Sequence, residues 1–243
     1  MGLDISVGML ADLLVNDEEG AKWLREDIEK LNAVLLKAGL SSHVEPAETD
    51  SASIATYGYS GLHYLRRCAV HLQYAGRLPP RWPTEQPTDD PFYIRYSDEF
   101  RDGNASLQPG DFARSSERKF DHVYMHSDAE GYYVPQRFDR VLIANGEAYG
   151  WVGSCYALAE ECERLASALT LPQELLANGE DEAFTEAILD QRRSDRSDFL
   201  SNLFKPKQGA ALWRAHPVAA MMCAKLHNMA SHSIRTGALV VFC

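Results

Sequence analysis

The sequence lacks the motifs by which most enzymes and membrane proteins are recognised. Its histidines do not form an H-E-x-x-H pair, and the segment GWVGSC at 150–155 has neither the G-x-S-x-G of a nucleophile elbow nor the lysine of a phosphate loop. No apolar run approaches the roughly 20 residues that cross a bilayer. Asp4 stands where a secretory signal would carry basic residues. These absences make an enzyme the less favoured class and predict no membrane contact.

Cysteine is scarce and irregularly spaced. The five cysteines include no C-x-x-C pair, which argues against a zinc ribbon and against a disulfide framework. We therefore expect reduced, mostly buried thiols, no metal or other cofactor, and a cytoplasmic location. The five are Cys68, Cys155, Cys162, Cys223 and Cys243.

Basic residues are few before residue 191. The net charge is −11, made of −17 over residues 1–190 and +6 over residues 191–243. One interpretation is that the basic tail neutralises the acidic part within the fold. The other is that the acidic part meets a basic protein, because complementary charge speeds and orients association. The overall balance predicts no direct contact with nucleic acid.

The periodicity of apolar residues predicts a single α+β domain. Alternation at residues 3–8 and the continuous apolar run at 238–242 predict two strands, the second buried on both faces. Helical spacing predicts helices over 17–38, 61–74, 154–169 and 180–193, and a broken one over 209–235, in which Pro217 restarts the helix. We expect one mixed sheet that contains both terminal strands and packs against several helices.

Residues 121–153 are the most informative stretch. Val123 to Met125 and Tyr132 to Val134 predict two strands on either side of a polar turn, in the same sheet as the terminal strands. Asn145-Gly146 predicts a further turn, and Ser154 the N-cap of a helix. By contrast, residues 84–119 combine prolines, glycines and charges, which predicts a flexible insertion in the single domain of residues 1–243.

The polar turn supplies the candidate site residues. His126, Asp128 and Glu130 alternate along the chain, so that their side chains can share one side, with Tyr132 or Tyr133 on the wall of a hollow. Three hypotheses stay open here: a turn held by Asp128 for its geometry alone, a binding site for a ligand or partner, and a metal-dependent hydrolase that adds a distant histidine.

Several segments resemble a family of uncharacterised bacterial proteins. They are MGLDISVGMLADLL, LHYLRR, HSDAEGYYVP, GWVGSC and ALVVFC, spread over most of the chain outside residues 84–119. The chain departs from that family's pattern at Ala129, where a cysteine is expected, and at Cys155, where a serine is expected. The resemblance implies no established activity. Its acidic, cytosolic character is similar to that of immunity proteins of bacterial toxin systems.

The sequence therefore predicts a cytosolic bacterial binding protein, specifically an immunity protein that neutralises a basic toxin domain. The alternatives are the metal-dependent hydrolase built on His126, Asp128 and Glu130, and a structural or regulatory module.

Overall fold

The computed structural model describes residues 3–56, 60–80, 86–114, 119–124, 131–144, 150–178, 182–197 and 211–242. These residues form one α+β domain with a mixed six-stranded sheet. The strands are β1 (Leu3–Val7), β2 (Ala52–Thr56), β3 (Gly131–Val134), β4 (Leu142–Ile143), β5 (Trp151–Ser154) and β6 (Val240–Phe242). The helices are α1 (Met9–Asn16), α2 (Glu18–Lys37), α3 (Ser60–Ala75), α4 (Pro91–Asn104), α5 (Asp121–Tyr124), α6 (Cys155–Leu169), α7 (Gln173–Ala177), α8 (Glu182–Ser197), α9 (Leu212–Ala215) and α10 (Pro217–Thr236).

Both terminal strands lie in the sheet, which has the order β2-β1-β6-β3-β5-β4. β6 runs antiparallel between β1 and β3, with Val241 opposite Ser6 on one side and Tyr132 on the other. The β3–β5 pairing is parallel, while β1–β2 and β4–β5 are antiparallel. The prediction of a mixed sheet with both terminal strands is therefore confirmed.

The sheet separates two apolar cores. Val240 and Phe242 point into a core shared with α3, α6 and α10, whereas Val241 points into a core shared with α1 and α2. Alternate side chains of a strand face opposite sides, so a strand covered on both sides reads as a continuous apolar run. This is why the closing segment carries no polar residue.

Local signals set the helix boundaries. Asp17 accepts a hydrogen bond from the Gly20 amide at 3.0 Å and caps α2, and Ser154 accepts one from the Ala157 amide at 3.3 Å and caps α6. Pro217 occupies the first turn of α10, and Gly237 ends that helix in the left-handed region with φ of 76°. These four boundaries follow the sequence-based prediction.

The strand predicted at Val123 is wrong. Residues 121–124 form the short helix α5, so β3 has no hairpin partner there and pairs with β5 and β6 instead. The reason lies in long-range hydrogen bonds: the Glu161 carboxylate accepts from the amides of His122, at 3.2 Å, and Val123, at 2.8 Å, and holds both at a helix N-terminus. A β-branched residue in a short apolar run carries no sign of such a contact.

Residues 86–114 contain more regular structure than their composition predicts. The helix α4 buries Tyr93, Tyr96 and Phe100 on one face, against Val70 of α3 and Tyr124 of α5. Asp90 caps this helix by accepting from the Phe92 amide at 3.0 Å, and Pro91 fits its first turn. The composition of this segment, with its prolines and charges, gave no sign of the helix that its aromatic residues form. Flexibility of the segment 84–119 stays a prediction.

Among the described residues, no helix combines the length and the apolar character that a bilayer crossing requires.

Gly153 provides a test of how tightly the sheet packs. Tyr133 lies against its α-carbon so closely that a β-carbon at this position would overlap the tyrosine ring. We expect Gly153→Ala to lower the free energy of unfolding by about 1–3 kcal/mol, the usual cost of overpacking a core, in urea denaturation. Gly103→Ala is the matched control, because a β-carbon there meets no atom within 4 Å and alanine favours the helix. Equal stabilities of the two variants would contradict this packing.

Candidate functional site

The predicted polar turn is only partly visible. His126, Asp128 and Glu130 lie outside the described residues, which end at Tyr124 and resume at Gly131. The two tyrosines that follow are described. Tyr132 and Tyr133 are both buried and point to opposite faces of the sheet, one into each core. Neither ring therefore forms the wall of a solvent-open hollow, and a binding role for these five residues stays a prediction.

The hydroxyl groups of Tyr132 and Tyr133 connect β3 to neighbouring helices by hydrogen bonds. Tyr133 donates a hydrogen bond to the His122 carbonyl, and Tyr132 donates to Asp27 Oδ2 of α2 at 3.3 Å. Buried tyrosines usually find such a partner for the polar end of the ring. The pair thus links β3 to α5 on one face and to α2 on the other.

A cluster of buried polar side chains surrounds α5, and the sequence did not predict it. Besides the two amides, Glu161 Oε1 lies 3.2 Å from His122 Nδ1. Arg66 donates to the Val123 carbonyl at 3.2 Å, and Tyr96 donates to Asp121 Oδ1 at 2.5 Å. Glu161 sits in the charged run AEECER, which looks solvent-exposed from sequence alone. The cluster fixes the chain just before the polar turn.

A second buried ion pair holds α4. Arg67 Nε donates to Asp90 Oδ2 at 2.7 Å, and His71 Nε2 lies 2.8 Å from the same oxygen. Burial alone would raise the pKa of Asp90, but the hydrogen bonds from His71 and Arg67 outweigh it and hold the pKa below its usual 3.8. The periodicity of apolar residues gives no sign of this ion pair, whereas the structure buries both Arg67 and Asp90.

The described cysteines are free and buried. Burial raises the pKa of both Cys68 and Cys155 to about 12, so these thiols stay protonated at neutral pH and are poor nucleophiles. Within the described ranges, no three His, Cys, Asp or Glu side chains are grouped so that they could hold a metal ion.

Negative charge is concentrated on one side of the sheet. We call residues 9–50, which comprise α1, α2 and the segment after them, the acidic layer. It contains ten Asp and Glu and four Lys and Arg, a net charge of −6 out of −11 for the chain. On the opposite face, α3 and α10 contain no carboxylate side chain, while α6 and α8 mix both signs, as α2 also does. The net negative charge is therefore distributed unevenly between the two sides of the sheet.

The acidic layer also exposes apolar side chains. Trp23 is 61% exposed, Leu36 59% and Val15 82%, and Val44 of the following segment is 83% exposed. Folding offers no reason to leave a tryptophan in water, and aromatic side chains dominate the energetics of protein interfaces. Aromatic residues are enriched in protein interfaces, so the exposed Trp23 is a candidate for contact with another protein.

Comparison with known families now places the chain. A family model described as "Putative DNA-mimic protein" matches residues 1–242, so the chain belongs to that family. No curated protein and no solved structure matches it. Membership indicates a protein-binding type of function, in agreement with the predicted class.

The family corrects the predicted partner. A basic toxin with no link to nucleic acid was expected, but a DNA mimic points to a DNA-binding protein. The charge balance was interpreted only for direct contact with nucleic acid, and not for a partner whose basic surface is one that binds DNA.

The Asp90 ion pair gives a pH-dependent prediction. Because the pKa of Asp90 is lower in the folded chain than its usual 3.8, the ionised carboxylate stabilises the fold above pH 3.8. That contribution is lost as the pH falls through the folded-state pKa. We expect Asp90→Asn to cost about 1–2 kcal/mol at pH 7, and the difference from wild type to shrink below pH 3.8 in urea unfolding.

The exposed neighbour Asp89 is the control for this test, since Asp89→Asn is expected to change stability by less than about 0.5 kcal/mol. A gap between Asp90→Asn and wild type that persists unchanged into strong acid would refute the role of this carboxylate.

Proposed function

We propose that this protein is a DNA mimic whose acidic layer occupies the DNA-binding surface of a protein partner. The observation that carries the proposal is the polarity of charge across the sheet. The acidic layer, residues 9–50, holds a net −6, whereas α3 and α10 hold no carboxylate side chain. A surface of this kind attracts a basic partner in one orientation, which a uniform distribution of the same charges would not.

The net charge of the acidic layer is similar in size to the charge that a DNA-binding surface neutralises. DNA-binding proteins commonly neutralise about 6–10 phosphates, and the net charge of the acidic layer lies at the lower end of that range. The length fits as well, since α2 has 20 residues and spans about 30 Å, close to one turn of duplex DNA. The exposed apolar side chains then supply contacts that DNA lacks.

We propose that this interaction takes place in the cytoplasm of a bacterium, which contains DNA-binding proteins and keeps thiols reduced. The four cysteines among the described residues support this location, because all four are buried and free.

Charge-neutralised variants test the proposal. The surface variant replaces four exposed carboxylates of the acidic layer, Glu19→Gln, Glu26→Gln, Glu29→Gln and Glu48→Gln. The control replaces the same number on α6, α7 and α8: Glu163→Gln, Glu174→Gln, Glu182→Gln and Glu186→Gln. Each immobilised chain captures proteins from a lysate of the source organism, and a duplex oligonucleotide is then added as competitor.

We expect duplex DNA to release the protein that wild type captures. The surface variant should bind it at least about tenfold more weakly, mainly through slower association, and the control should bind like wild type. Capture that withstands saturating DNA would contradict the proposal, as would an equal loss in both variants.

A further inference from the structure

Two of the protein's own arginines are bound in the same way, each by an aromatic ring and a carboxylate. The Arg137 guanidinium lies over the Tyr156 ring, 4.0 Å from its centroid, and Nη1 is 3.4 Å from Glu160 Oε1. Arg95 lies 4.3 Å from the centroid of the Tyr74 ring, and its Nε donates to Glu99 Oε1 at 2.7 Å. In both cases a flat cation stacks on an aromatic ring while a carboxylate accepts from its edge. Lysine lacks the planar group that makes both contacts together.

Helix α2 repeats this arrangement without the arginine. Tyr156 and Glu160 are four residues apart on α6, and Trp23 has Glu19 four residues before it and Asp27 four residues after it. Glu26, three residues along, borders the same side. The indole of Trp23 is 61% exposed, and tryptophan is the best aromatic face for a cation. Within the described part of the chain, no arginine stacks on Trp23.

The carboxylates around Trp23 differ in their availability. Asp27 is engaged, since Lys30 Nζ donates to Oδ1 at 2.7 Å and the Tyr132 hydroxyl donates to Oδ2 at 3.3 Å. Glu26 is 3.9 Å from Lys22, and both side chains are more than half exposed, so this pair is weak. Glu19 is exposed and forms no ion pair with a described residue. Glu19 and Glu26 are therefore the carboxylates that can accept from an incoming cation.

We propose that Trp23, Glu19 and Glu26 form a receptor for an arginine side chain of the partner. The inference deepens the proposed function and rests on it for the partner's nature, because arginine makes the commonest specific contact with DNA bases. The partner's guanidinium stacks on the indole and donates to the carboxylates, as Arg137 does on Tyr156. An arginine that reads DNA is thereby occupied by the mimic.

Peptide probes test the receptor without the natural partner. Hexaarginine and hexalysine carry equal charge, and each is titrated at low salt into the intact protein while the indole Nε1–H resonances are followed by NMR. We expect hexaarginine to bind about two- to fivefold more tightly and to shift the Trp23 resonance, which is identified by its loss in Trp23→Leu. Trp23→Leu should abolish the preference while hexalysine binds as before.

Leu36→Ala is the matched control, because Leu36 is an exposed apolar residue of the same helix without a ring; its preference should equal that of wild type. Equal affinity for the two peptides, or a preference that survives Trp23→Leu, would overturn the proposal. The two hypotheses fail separately. If the protein prefers hexaarginine but captures no partner that DNA can displace, the arginine receptor is supported and the DNA-mimic function is not. If DNA displaces a captured partner but the protein shows no preference for hexaarginine, the DNA-mimic function is supported and the receptor is not.

Discussion

The structure depends on a sheet that is buried on both faces. β6 lies near its centre, with Val240 and Phe242 in one core and Val241 in the other. Neither core can form unless helices cover both sides, because each face of the strand would otherwise expose apolar surface to water. α1 and α2 cover one face, and α3, α6 and α10 cover the other. The sheet thereby creates two outer surfaces whose composition can differ.

Because the sheet separates the two outer surfaces, one of them can carry a net negative charge while the fold remains stable. Like charges on one layer repel one another, and their crowding is tolerated because the buried face of α2, with Leu24, Ile28 and Leu31, holds the helix by apolar contact. Some of these carboxylates bind within the fold, such as Asp17 and Asp27, whereas Glu19 is exposed. Under the proposed function the exposed carboxylates bind the partner, beside exposed apolar side chains such as Trp23.

Much of the fold is predictable from sequence because its signals are local. The α2 period, the Ser154 cap and the closing apolar run each lie within one element. The errors come from contacts between distant residues. Nothing near Val123 reveals that Glu161 will bind its amide, and the ion pair of Arg67 with Asp90 joins residues 23 apart.

Charge was the feature that the sequence located least well. Dividing the chain at residue 190 predicts an acidic body and a basic tail, but helices that are distant in the chain share a layer. α3 and α10 have sequence neighbours of very different charge, yet both lie on the face opposite α2. The acidic layer is one continuous segment of the chain, but only the structure shows that its helices cover the face opposite α3 and α10.

The proposed function requires that negative potential is concentrated over the acidic layer, residues 9–50, and weak over α3 and α10. Relaxation of protons by a cationic and by an anionic nitroxide of the same size, measured by NMR on the free protein at low salt, reports this potential directly. We predict that the cationic probe relaxes exposed protons of the acidic layer more than the anionic probe does, and that the order reverses or vanishes on α3 and α10. The same ratio of the two effects on the acidic layer and on these two helices would contradict the proposed function.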